Sequence, residues 1–133
     1  MLRSKIDDRI DAPAKKILIV DDDAHTVMLM RGRLLSLGFE IDEAFSIKGA
    51  KERLTAGAYD LMVLDFFLPD GLGDEVCRTA RKSSDAKALP IIILSDFLFK
   101  DEERFLDTGA NEVVYKPMDV DDLAGRVQKH LES

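Results

Sequence analysis

Five short strand-like runs recur along the chain, at Ile17–Val20, Phe39–Glu43, Leu61–Leu64, Ile91–Leu94 and Val113–Tyr115. Each is shorter than a buried helix and is bounded by charged or turn-forming residues, so each is expected to be a β-strand. Four of them are apolar without interruption, as strands covered on both faces of a parallel sheet must be. Phe39, Glu40, Ile41 and Asp42 alternate instead and suit an edge. The intervening stretches carry apolar residues at helical spacing, such as Val27, Met30, Leu34 and Leu37 or Val120, Leu123, Val127 and Leu131, which gives each helix one buried stripe. Strand and helix alternate five times. That order specifies an α/β fold, a doubly wound five-stranded parallel sheet with right-handed crossovers and helices on both faces.

Glycines punctuate the pattern. Gly38, Gly57 and Gly109 each follow a helical stretch and are expected to close it in the left-handed conformation. Gly32 falls inside the first helix, where glycine costs about 1 kcal/mol relative to alanine, and the sequence offers no reason for it. Residues 1–15 mix basic and acidic side chains and read as a flexible leader; residues 16–133 read as one domain. With 46% apolar and 34% charged residues the composition is that of a globular protein. No run is long enough for a transmembrane helix or a signal-peptide core, so no membrane contact and a cytoplasmic location are expected. The net charge of −7 opposes binding of nucleic acid by this domain. Cys77, the single cysteine, excludes an internal disulfide and sits where a helix face should pack, so it is expected in the core.

In a doubly wound sheet, ligands bind beyond the carboxyl ends of the strands. Asp21, Asp22 and Asp23 follow the first strand, Asp65 the third, Ser95 the fourth, and Lys116 with Pro117 the fifth. Carboxylates gathered this closely repel one another unless a cation neutralises them. An all-oxygen ligand set suits Mg²⁺, and Mn²⁺ could substitute. Lys116 could pair with an anionic oxygen and Ser95 could donate a hydrogen bond to another. A carboxylate so placed can act as a nucleophile toward phosphorus, forming an aspartyl phosphate. Asp23 is equally well explained as the N-cap of the first helix, and His25 and His130 as solvated helix residues.

Ile17–Asp23 (ILIVDDD), Leu64–Gly73 (LDFFLPDGLG), Pro90–Ser95 (PIIILS) and Gly109–Pro117 (GANEVVYKP) stand in an order and spacing that resemble the receiver domain of two-component response regulators, over about residues 16–131. The resemblance implies a flavodoxin-like strand order, 2-1-3-4-5. It makes Asp65 the phosphoacceptor, with Ser95 as the switch hydroxyl and Lys116 as the phosphate-binding lysine, followed by a cis proline, Pro117. Asp22, Asp65 and the carbonyl of Phe67 would bind Mg²⁺ directly, and Asp21 through water. It also implies a signalling switch rather than a metabolic enzyme. Such a switch catalyses its own phosphorylation from a histidine kinase or histidine phosphotransfer protein, loses the phosphoryl group slowly, and rearranges the face of the fourth helix, fifth strand and fifth helix. A homodimer could form through that face, where apolar surface is expected around Phe105, Val113 and the last helix.

Three positions depart from the family pattern. Asp96 follows the switch hydroxyl where a small residue is usual, Val113 replaces the usual aromatic three residues before the lysine, and the loop acid is Asp70 rather than the residue just before Gly73. Phe67 and Phe97 occupy the positions expected to flank the path of an attacking water, and both are large and apolar. Two other classes compete with the switch. One is a phosphorylation-independent interaction module. The other is a haloacid-dehalogenase-like phosphatase, which would use Asp21 and Asp23 as its Asp-x-Asp pair but would need a cap that 133 residues barely accommodate.

Overall fold

The expected alternation is realised in chain order: β1 (Lys16–Val20), α1 (Ala24–Ser36), β2 (Glu40–Ala44), α2 (Ile47–Ala56), β3 (Leu61–Asp65), α3 (Asp74–Lys82), β4 (Ile91–Asp96), α4 (Glu102–Asp107), β5 (Glu112–Lys116) and α5 (Val120–Leu131). The structure is a computed structural model that describes residues 13–82, 89–96, 98 and 101–132. Most of the leader and Phe97 therefore lie outside the described residues. The five strands pair in parallel in the order 2-1-3-4-5. A small antiparallel hairpin between β3 and α3 joins Phe67–Leu68 to Gly71–Leu72.

Successive strand residues point to opposite faces, so an uninterrupted apolar strand feeds two cores. Leu18, Val20, Met62, Leu64, Ile91 and Ile93 face α2, α3 and α4, where Leu54, Val76, Cys77 and Phe105 close the layer. Ile17, Ile19, Leu61, Val63, Ile92 and Leu94 face α1 and α5, against Met30, Leu34, Leu123 and Val127. Full burial of each such side chain contributes about 1.5–3 kcal/mol, which makes this two-sided packing the main source of stability. Among the described residues, no helix is long and apolar enough to cross a membrane.

Three expectations need correction. The Val113–Tyr115 run is less fully covered than the inner strands, because β5 is the second edge of the sheet: Val114 is buried in one core layer, while Val113 and Tyr115 are only partly buried against the other. Gly38 and Gly109 have φ of 93°, but Gly57 is extended at φ −133° and closes α2 without a left-handed turn. Phe105 is not a surface residue: it is fully buried, with its ring 4.7 Å from that of Phe66, and its neighbour Leu106 is the exposed apolar residue of α4.

Gly32 is exposed in the middle of α1, and a Cβ built there meets nothing within 4 Å. No packing demands a glycine at this position. Gly32→Ala should therefore raise stability by about 0.5–1 kcal/mol, seen as a higher urea midpoint at unchanged slope.

Candidate functional site

At the carboxyl edge of the sheet the chain turns sharply out of β1. Asp23 caps α1, its carboxylate accepting hydrogen bonds from the His25 amide at 3.1 Å and the Thr26 hydroxyl at 2.8 Å. That carboxylate is exposed and committed to the helix end. Asp21 is fully buried; one of its oxygens accepts the Asp23 amide at 2.9 Å and the other accepts the Lys116 ammonium at 2.8 Å. Asp65, at the end of the adjacent β3, has a matching arrangement. One oxygen accepts the Phe67 amide at 3.0 Å, and the other accepts Lys116 at 3.0 Å. Ser95 is fully buried on β4, one residue beyond Leu94, which pairs with Asp65. Asp22 is exposed, yet its carboxylate comes within 4.8 Å of those of Asp21 and Asp65. All the residues singled out from strand-end positions thus meet at one edge.

Charge sets the character of this site. Burial pushes the Asp65 carboxyl up to about 6 and the Asp21 charge adds to the rise, against the opposing pull of Lys116 and the Phe67 amide. Burial by itself would lower the pKa of Lys116, but its hydrogen bonds to Asp21 and Asp65 outweigh that and raise it. One ammonium faces three carboxylates, which leaves an excess of negative charge. Three carboxylate oxygens this close form a donor set suited to a hard divalent cation such as Mg²⁺.

The edge opens into a cleft of about 430 Å³ lined by Asp65, Phe67, Asp96, Leu98 and Lys116. Phe67 lines it from the hairpin and packs edge-on against Phe66, with ring centroids 5.3 Å apart. Close approach shapes the return of the hairpin. A Cβ on Gly73 would lie 3.1 Å from the Phe66 Cα and 3.2 Å from the Asp65 carbonyl oxygen, and the Gly73 amide donates to the Phe66 carbonyl at 2.6 Å. The Lys116–Pro117 bond is cis.

In the sequence Asp70 stands out only as a departure from the family pattern, and its role is set by the fold. Its two oxygens accept the Ile47 amide at 2.8 Å and the Lys48 amide at 3.1 Å, so it clamps the N-terminus of α2. These bonds, chiefly that from Ile47, hold its carboxyl below the usual range. The clamp ties the hairpin carrying Phe67 to a helix 23 residues earlier, a link that no local motif signals. Val113 and Tyr115 are half-buried on β5 against the core layer that contains Phe66 and Phe105.

The profile of the response regulator receiver domain matches residues 17–128. The chain is 33% identical over 124 residues to the aerobic respiration control sensor protein ArcB of Escherichia coli K12, covering 92% of this chain and 16% of ArcB. It is 37% identical over 117 residues to the phosphate regulon transcriptional regulatory protein PhoB of Rhizobium meliloti, covering 87% of this chain and 52% of that protein. The chain thus spans about half or less of these relatives. In fold it is similar to the receiver domain of the sensor histidine kinase PA1611 from Pseudomonas aeruginosa PAO1, a structure with a magnesium ion coordinated in its active-site cleft. The TM-score is 0.82 at 24% identity, with 91% of this chain and 100% of that one covered.

Because Asp65 has a folded pKa near 6, above that of an unfolded carboxyl, ionising it costs stability. The cost is absent below about pH 4, grows toward pH 6 and is fully present above it. In divalent-free buffer Asp65→Asn should be more stable than wild type at pH 7.5, by the order of 1–3 kcal/mol, and should lose that advantage at about pH 3.5. Denaturant titrations at the two pH values measure both numbers.

Proposed function

The chain belongs to the response regulator receiver domain family, and on that premise we propose that Asp65 accepts a phosphoryl group from a phosphohistidine donor in a Mg²⁺-dependent reaction that alters its partner-binding face. The observation that carries this reading is the buried Asp65 carboxylate, aligned by Lys116 and the Phe67 amide beside Asp21 and Asp22. An Asp65 oxygen attacks phosphorus in line with the bond to the donor imidazole nitrogen; the new O–P bond forms as the N–P bond breaks, and the nitrogen leaves with the electron pair. Lys116 offers its ammonium and Ser95 its hydroxyl to the transferred phosphoryl oxygens. Asp22, Asp65 and the Phe67 carbonyl would hold Mg²⁺, or Mn²⁺ in its place, with Asp21 acting through water, and the ion would neutralise the charge gathered there.

The donor is a histidine kinase or a histidine phosphotransfer protein. The response is a change of the face built by α4, β5 and α5, through which a second copy or another protein binds. The domain is a switch that promotes its own phosphorylation and loses the group slowly, not a metabolic enzyme. A haloacid-dehalogenase-like reaction is disfavoured because the acid it would need, Asp23, is committed to capping α1.

Acetyl phosphate with Mg²⁺ should label the wild type with hydroxylamine-sensitive phosphate, and Asp65→Asn should take up none. Mg²⁺ should also raise the melting temperature of the unphosphorylated wild type but not of Asp22→Ala. Undiminished labelling of Asp65→Asn would place the acceptor elsewhere. An unchanged metal shift in Asp22→Ala would do the same for the ion.

The persistence of the signal follows from Phe67, whose ring lines the cleft and offers no hydrogen bond to an attacking water. The aspartyl phosphate should last for hours rather than seconds. Phe67→Asn should shorten its lifetime about tenfold, the effect of lowering the barrier by about 1.4 kcal/mol. Decay of label after donor removal reads this directly, and equal lifetimes would show that Phe67 does not protect the site.

A further inference from the structure

Asp96 ends β4 directly across the sheet from Lys116, the two residues being paired in register. Its side chain lines the cleft that opens onto Asp65, and it also lines a neighbouring cleft of about 400 Å³ bounded by Asp23, His25, Thr26, Leu29 and Pro117. Asp96 thus lines both openings, as Lys116 does. It is exposed but not free to swing, because one oxygen accepts the Leu98 amide at 2.8 Å. Among the described residues lining the Asp65 cleft, Lys116 is the single cation, and it is already shared by Asp21 and Asp65. Among the described residues, an anion entering the cleft thus meets a fixed negative charge beside one lysine already engaged by two carboxylates.

We propose that Asp96 is a specificity-determining residue that discriminates among phosphodonors by charge, holding back small free dianionic acyl phosphates. This inference rests on the reading of Asp65 as phosphoacceptor and extends it to the choice of donor. The effect is long-range Coulomb repulsion, so it scales with the charge on the donor and is weakened by salt. A phosphoryl group delivered by a docked protein meets the same carboxylate but is held by contacts made elsewhere, which offset the local repulsion. A small free donor has no such contacts. The fixed charge therefore favours donors that dock.

Asp96→Asn isolates the charge, since the asparagine oxygen can still accept the Leu98 amide. Asp96→Ala removes both the charge and the bond. The probes are acetyl phosphate, a dianion near neutral pH, and phosphoramidate, a zwitterion of net charge −1. At low ionic strength Asp96→Asn should speed labelling by acetyl phosphate about five-fold and by phosphoramidate about two-fold. In about 0.5 M salt both gains should shrink toward unity. Asp96→Ala should reproduce the same donor ratio. Equal acceleration of both donors at every salt concentration would mean relief of crowding and would overturn the proposal. So would a change seen in Asp96→Ala but not in Asp96→Asn, which would assign the effect to the Leu98 bond. Labelling of wild type and variant with an unchanged donor ratio overturns the role of Asp96 alone. Failure of both proteins to take label from either donor overturns the phosphoacceptor reading and this inference with it.

Discussion

The arrangement depends on one shared cation. Asp21 and Asp65 are both buried at the ends of adjacent strands, and two ionised carboxylates in that position would repel each other strongly without an opposing charge. Lys116 reaches both, at 2.8 and 3.0 Å, from the far edge of the sheet. Neighbouring strands lie about 4.8 Å apart, so a side chain on β5 must cross β4 to touch β3 and β1, and a long flexible ammonium suits that reach. The strand order 2-1-3-4-5 makes this geometry available, because it sets β1 beside β3 and leaves β5 at the edge with its end facing inward across the site. Desolvating three ionic groups is costly, and the pair is tolerable because backbone amides of Asp23 and Phe67 satisfy the oxygens that Lys116 does not.

The balance remains negative, and the surrounding structure is organised around that excess. The hairpin after β3 is held on two sides. Gly73 allows the returning chain to press against the Asp65–Phe66 backbone, and Asp70 grips the first amides of α2. The Phe67 amide is therefore presented to Asp65 by a segment anchored to both a strand and a helix. Such anchoring matters for chemistry that relies on positioning and charge, since a displaced donor loses most of its effect.

The strand-end chemistry could be read from sequence because a parallel sheet sends every strand's carboxyl end to the same edge. Asp21, Asp22, Asp65, Ser95 and Lys116 needed only the strand boundaries to be grouped. What escaped was information that local pattern does not hold. The six residues of α4 make fewer than two turns, too few for periodicity to show whether Phe105 or Leu106 faces the core. The Val113–Tyr115 run is as apolar as a central strand, but edge position is a property of the whole sheet order and not of the strand. Gly57 follows a helix as Gly38 does, yet its extended backbone satisfies the helix end through a bond from its own amide to the Arg53 carbonyl, with no left-handed turn. The Asp70 clamp joins segments with no local sequence relation at all.

With Val113 in place of the expected aromatic, a different packed route runs between the site and α4. Phe66 is covalently next to Asp65 and is fully buried; its ring packs at a tilt of 60° against that of Phe105 of α4, and the Arg104 guanidinium lies over it at 5.4 Å. Arg104 also pairs with Asp74 at the start of α3, at 3.8 Å. One aromatic residue thus links the acid to two helices. Ser95 and Asp96 are in register with Tyr115 and Lys116, so the same strand ends also join the site to β5. Phe66 and the paired ends of β4 and β5 thus pack contiguously from the acid to α4 and β5, without a bulky side chain at position 113.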